Sequence, residues 1–270
     1  KYVYINYDIL FEEIPALVGR IKEIEEFVES YDIRRHTEIE EKYSCVEKDI
    51  KNAKELVNNL INNNNSGELS CYTFEENIKE KEQQDCYYDT EDFLLAKRGY
   101  SLRCRTIPEE GYVFSIKCSI DNNNGSNNGQ FVRSEFERKS ETDKIDDKEN
   151  QEFINMHLRL LLDENNRETK ELVPVVTINN LRTIIYVSRK DSNFKCEISL
   201  DSIEYKKYEC FSGNNKKDYQ IEIELKSHHH IHKVELKEFA ERFLKALSIL
   251  KIENEAESKY RKALMSLDLI

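Results

Sequence analysis

The sequence predicts an α+β protein whose strands carry one apolar and one charged face. Two observations predict it. Stretch after stretch alternates strictly: Lys195, Glu197, Ser199 and Asp201 interleave with Phe194, Cys196, Ile198 and Leu200, as Gln220, Glu222, Glu224 and Lys226 do with Tyr219, Ile221, Ile223 and Leu225. Period two marks strands whose two faces meet different surroundings. Val46 to Leu60, Gln151 to Leu162 and Leu236 to Leu250 instead have the period of helices. With charged faces in solvent, such strands form an open sheet with helices on one side. With charged faces inward, they close into a barrel with a polar lumen and helices packed outside. Buried charges are tolerated only when paired or bound to metal and ligand, so such a lumen suits a divalent metal plus a polyanion.

Residues 1–35 form an N-terminal arm, an alternating piece at Tyr2–Asn6 followed by an amphipathic helix with Ile14, Leu17, Ile21, Ile24 and Phe27 near one face. It suggests no chemistry and could dock on the main body, residues 36–270, or on a second copy, making a homodimer. In Thr37–Tyr43, Glu38, Glu40 and Lys42 share one strand face. Two carboxylates roughly 6–7 Å apart repel unless a cation sits beside them. Magnesium and manganese prefer such oxygens, and Lys42 could meet an anion held by the metal. A solvated edge strand is the plainer reading of this stretch alone.

The helix from Val46 carries Ile50, Ala53, Leu56, Val57 and Leu60 on its apolar side and stops at the polar tract Asn62–Gly67. Strands are expected at Glu68–Thr73 and Gln84–Tyr88. On Tyr100–Arg105, Arg103 and Arg105 oppose Leu102 and Cys104, and on Tyr112–Ser119, Lys117 lies opposite Phe114 and Ile116. Asn122–Gly129 reads as a flexible hairpin tip. Arg133, Glu135, Glu137 and Lys139 then share a face opposite Val132 and Phe136. Two further strands are expected at Pro174–Ile178 and Arg182–Ser188, and a turn at Ser212–Asn214. The cluster His228–His232 is internal and lacks a second ligand group, so an exposed loop is expected there rather than a metal site. Leu236, Phe239, Ala240, Phe243, Leu247 and Leu250 make a packing stripe.

The net charge of −12 argues against non-specific binding to nucleic acid or anionic membrane. No run approaches the ~18 apolar residues of a transmembrane helix, and the start does not read as a secretory signal. The seven cysteines are an odd, scattered set without a C-x-x-C pair, which fits reduced thiols in a cytoplasmic protein.

Glu38-x-Glu40-x-Lys42, Tyr87-Tyr88-Asp89-Thr90, Leu102-Arg103-Cys104-Arg105, Lys117, the Glu135/Glu137 strand, Leu200-Asp201, Glu222-x-Glu224 and Ser258-Lys259-Tyr260 occur in that order. Together, from about His36 onward, they resemble the CYTH superfamily, the triphosphate tunnel metalloenzymes. The resemblance implies an antiparallel barrel of about eight strands enclosing a tunnel, Mg²⁺ or Mn²⁺ dependence and a small-molecule triphosphate substrate. It implies metal-binding roles for Glu38, Glu40 and Glu224, with Glu222 beside them, and for Glu135, Glu137 and Asp201, directly or through water. It implies phosphate contacts from Arg103, Arg105, Lys117, Arg182 and Lys259, with Lys42 near the reacting phosphate. Asn180 departs from the family, which often carries a basic residue there. An inorganic tripolyphosphatase is the first expectation. An adenylate cyclase acting on ATP, a thiamine-triphosphatase or a non-catalytic polyphosphate-binding module are the alternatives; the retained acids and Lys42 favour an enzyme, because anion capture needs only bases.

Overall fold

The computed structural model describes residues 34–62, 67–119, 130–162, 170–208, 215–227, 232–247, 253–255 and 257–270. The expectations for the arm up to residue 33, the Asn122–Gly129 tip, the Ser212–Asn214 turn, Cys210 and residues 228–231 lie outside these residues.

Eight antiparallel strands close into a barrel. They are β1 (Arg34–Cys45), β3 (Lys79–Asp89), β4 (Tyr100–Ile107), β5 (Gly111–Ser119), β6 (Gln130–Ser140), β7 (Val173–Arg189), β8 (Lys195–Lys207) and β9 (Lys216–Leu225). The order round the wall is β1-β6-β5-β4-β3-β7-β8-β9, and pairing of β9 with β1 closes it. Two short strands are appended, β2 (Tyr72–Phe74) beside β7 and β10 (Glu253–Asn254) beside β1. Closure leaves no long edge, so β1 cannot be the solvated edge strand that its sequence alone allows.

The alternation predicts the faces correctly, and the charged faces point inward. Outward residues of β1, β7, β8 and β9, among them Ile39, Ile185, Ile198 and Ile223, form one core with two helices, α1 (Glu47–Asn62) and α4 (Lys233–Ala246). α1 opens with Glu47 and Asp49, favourable at the positive end of its dipole, and buries Ile50, Ala53 and Val57. α4 buries Leu236, Phe239, Ala240 and Phe243, and each of its larger side chains contributes about 1.5–3 kcal/mol. On the other side, Leu102, Cys104, Phe114 and Ile116 pack against Phe153, Ile154 and Leu158 of α3 (Lys148–Leu162). A one-turn helix, α2 (Leu94–Lys97), sits at the barrel end.

The last helix, α5 (Lys259–Ser266), departs from the expectation of helices packed outside. Its Tyr260, Ala263 and Leu264 pack on Tyr87, Val176, Ile178, Ile203 and Tyr205. Those positions share the strand faces of Arg182 and Asp201, so α5 fills one end of the lumen. Polar residues line the rest, and the lumen changes from apolar to charged along its length.

Three boundaries also differ. The two strands expected around 174–188 are one, because Asn180 turns inward to donate to Asp201 Oδ1 at 3.0 Å, and Asn179-Asn180 makes no turn. β3 begins at Lys79 rather than Gln84, since its polar first half pairs along β7. The strand expected from Glu68 shrinks to β2, because the backbone turns after Gly67, whose φ of 98° suits glycine. Among the described residues, no helix is long and apolar enough to cross a membrane.

Candidate active site

The lumen holds a cavity of about 280 Å³. Of the residues expected to carry function, it gathers Glu38, Glu40, Lys42, Arg103, Arg105 and Lys117 from β1, β4 and β5. It also gathers Glu135, Glu137, Arg182, Glu222, Glu224 and Lys259 from β6, β7, β9 and α5. Asp201 stands behind this lining with no exposed surface.

On β1, Glu38 and Glu40 are buried beside Lys42, whose Nζ lies 3.2 Å from both Glu40 Oε1 and Glu222 Oε1. Lys42 is 2 % exposed, a position an ammonium keeps only with such partners. Register aligns Glu40 with Glu224 on β9, and Glu224 with Glu197 on β8, a row of three carboxylates across adjacent strands. Burial pushes the Glu224 carboxyl up to about 7; Lys226, 2.7 Å away, works against this, and the charges of Glu38 and Glu197 add to it. Glu38 Oε1 accepts from Lys117 Nζ at 2.6 Å, while its buried Oε2 has no hydrogen-bond partner.

The opposite wall is basic. Arg105 makes a bidentate pair with Asp85, at 2.6 and 2.8 Å. Arg103 lies 3.7 Å from Asp85, 3.4 Å from Glu135 and 3.6 Å from Glu137. Burial works to raise the Asp85 pKa, but Arg105 and Arg103 outweigh it and hold the carboxyl below its ordinary range. Burial likewise works to lower the Lys117 pKa, and Glu135 and Glu38 overturn that. Asp201 and Glu222 face the cations: Arg182 donates to both oxygens of Asp201, at 2.8 and 2.7 Å, and also reaches Glu222. Lys259 lies 2.9 Å from Asp201 and 2.5 Å from Glu222.

The halves of the barrel therefore differ in sign. The consecutive strands β5, β4, β3 and β7 supply Lys117, Arg103, Arg105, Lys81 and Arg182 against one acid, Asp85. The strands β8, β9, β1 and β6 supply Glu197, Glu222 and Glu224, then Glu38, Glu40, Glu135 and Glu137, with Asp201 buried behind them, against Lys42, Arg133 and, just beyond β9, Lys226. Among the described residues, no three His, Cys, Asp or Glu side chains converge closely enough to hold a metal ion, and lysines stand between the acids. The donor set nonetheless fits a hard divalent cation. It is all carboxylate oxygen, it includes the orphaned Glu38 Oε2, and burial, with added repulsion from Glu38 and Glu197, keeps Glu224 reluctant to ionise.

Several contributors were not singled out in the sequence: Asp85, Glu197, Lys226, Arg133 and Lys81. Alternation carries a signal for all of them; Asp85, for example, precedes Tyr87 by two residues on one strand face. Two motif residues prove to be scaffold. Asp89 accepts from the backbone N–H of Leu95 at 2.8 Å and of Ala96 at 3.0 Å, anchoring α2, and from the Tyr260 hydroxyl at 2.7 Å. Tyr260 also stacks on Tyr87 with centroids 5.0 Å apart. These contacts seat α5 and hence Lys259. His232 is buried and meets Glu235, a structural placement.

No curated protein sequence matches the chain significantly. Among solved structures, a candidate adenylate cyclase from Bacillus halodurans is similar, with 22% identity and a TM-score of 0.51, covering 84% of this chain and 97% of that one. A candidate adenylyl cyclase from Hippeastrum, described as having a dominant triphosphatase activity, has 18% identity and a TM-score of 0.52, covering 85% of this chain and 96% of that one. At these identities the likeness shows the fold. The CYTH domain model matches residues 60–261, beginning after β1, although β1 is hydrogen-bonded into the same barrel. That match spans well over half of the sequence, and the chain belongs to the CYTH domain family.

Proposed function

We propose that the chain is a metal-dependent hydrolase of triphosphates, with inorganic tripolyphosphate as the foremost substrate. The division of one cavity inside the closed barrel wall into a basic and an acidic half carries this reading. A polyanion fits against the basic half and a divalent cation against the acidic half, and a site for either alone would need only one.

Glu38, Glu40 and Glu224 would hold Mg²⁺ or Mn²⁺, and Glu135 and Glu137 of β6 would bind it directly or through water. Bound there, the ion would neutralise phosphate oxygens and polarise the phosphorus under attack. Arg103, Arg105, Lys117 and Arg182 take phosphate oxygens, and Lys259 closes over them from α5. Lys42, fixed by Glu40 and Glu222, steadies the terminal phosphoryl group as it passes to water. A cation–phosphate contact near 4 Å is worth roughly 4 kcal/mol before desolvation at an effective dielectric near 20. Several such contacts are needed, because each base must leave a carboxylate that already satisfies it. Asp201 and Glu222 act on this reading chiefly as counter-ions that keep Arg182 and Lys259 in place.

A phosphate-release screen over tripolyphosphate, pyrophosphate, thiamine triphosphate and nucleotides, with cyclic AMP measured alongside, tests the assignment. Tripolyphosphate should be the fastest substrate, with no cyclic AMP from ATP. Cyclic AMP as the main product would replace the hydrolase by a lyase on the same site. No turnover of any triphosphate with either metal would reduce the chain to a binding module.

A further inference from the structure

One cavity-lining cation stands apart from the rest. Lys81 lies on β3, on the strand face of Gln83 and Asp85, and its side chain lines the cavity. Directly across the β3–β7 pair is Arg182, and at the next rung Gln83 faces Asn180. Like charges opposed on one sheet face repel. Arg182 is neutralised by Asp201 and Glu222, at 2.7 and 2.5 Å. Every other lysine or arginine of the lining also has a carboxylate within ion-pair distance. Lys81 is the one cavity-lining cation, among the described residues, without an ion pair.

An exposed lysine is ordinarily a solvated surface charge. Lys81 differs because it stands opposite a half-buried arginine on the cavity wall, so an anion bridging the two would relieve their repulsion. Cations also follow one another across the wall to this point: Lys42 and Arg182 both reach Glu222, and Lys81 is the next cation beyond Arg182. The next rung of the same strand pair is neutral, with the amides of Gln83 and Asn180 within 3.4 Å of each other.

We propose that Lys81 determines which triphosphate the tunnel takes. Together with Arg182 it binds an unesterified phosphate at the end of the chain remote from Lys42. Such a phosphate carries one more charge and one more free oxygen than an esterified one, so Lys81 favours an inorganic chain over a nucleotide. This deepens the proposed function and rests on it.

The test compares Lys81→Gln and Lys81→Arg with the unmodified protein. Binding of tripolyphosphate and of ATP is measured by calorimetry in chelator without metal, beside KM and kcat with Mg²⁺. Lys81→Gln should weaken tripolyphosphate binding roughly five- to tenfold, the effect of one charge-assisted contact, and ATP binding by less than about twofold. The loss of turnover should fall on KM more than on kcat, and Lys81→Arg should restore most of it. Equal weakening of both ligands, or of neither, overturns the proposal. If the unmodified protein binds tripolyphosphate but hydrolyses nothing, the hydrolase reading fails while the binding comparison still decides the role of Lys81. If the unmodified protein binds neither ligand, both fail.

Discussion

Glu224→Gln should lower tripolyphosphate hydrolysis by roughly 10²–10³-fold, comparable to removing one preorganised electrostatic partner from an active site. The same variant should be more stable than the unmodified protein when no metal is present. Glutamine keeps the shape but not the charge that a hard cation requires. The sign of the stability change follows from the raised carboxyl: in the fold Glu224 ionises only near pH 7, whereas in the unfolded chain it ionises near its ordinary 4.5. Its contribution is therefore unfavourable, growing as pH rises from about 4.5 and complete above about 7. Metal-free melting curves should show Glu224→Gln a few °C above the parent at pH 8 and level with it at pH 5. Loss of stability at pH 8 would mean that the Lys226 ion pair outweighs burial and repulsion. Near-parental, metal-dependent hydrolysis would remove Glu224 from the site.

Asp201→Ala should produce the largest stability loss. Asp201 has no exposed surface and receives Arg182 at both oxygens, Lys259 at one and Asn180 at the other. Removing a buried carboxylate in such a network strands the cations it serves, a cost of about 3–5 kcal/mol. For a domain of this size that is roughly 10 °C or more in melting temperature. Asp201→Asn keeps the volume and an acceptor and should lose less. A melting temperature within about 2 °C of the parent for Asp201→Ala would show that Arg182 is adequately satisfied by Glu222 and water. Glu224 and Asp201 thus make opposite predictions from the same lumen, because one is short of cations and the other surrounded by them.

Strand alternation made most of the lumen legible. Arg103 with Arg105, Glu135 with Glu137 and Glu222 with Glu224 each share a face as their spacing predicts, because a period of two admits just two faces and the apolar one must meet the helices; barrel closure turns that face inward. Which residues face one another across the lumen was not legible. Asp85 clamps Arg105 from the neighbouring strand, and Lys81 opposes Arg182 across a pairing that depends on register; periodicity along one strand contains neither. The placement of α5 was hidden for a related reason. Its apolar stripe fits the inside of a barrel end as well as the outside, and only the stacking of Tyr260 on Tyr87 and the hydroxyl bond to Asp89 decide between them. The single strand β7 was obscured because an Asn-Asn pair is a common turn signal, overridden here by a hydrogen bond to a buried aspartate.

The division of labour between the two halves of the lumen is tested most directly by a crystal structure with Mn²⁺ and tripolyphosphate, with manganese located by its anomalous scattering. The expected result is an anomalous peak among Glu38, Glu40 and Glu224, with phosphate oxygens against Arg103, Lys117 and Arg182 inside the barrel. Manganese or tripolyphosphate bound only outside the barrel, with the internal ion pairs of Lys42, Arg182 and Lys259 intact, would contradict it.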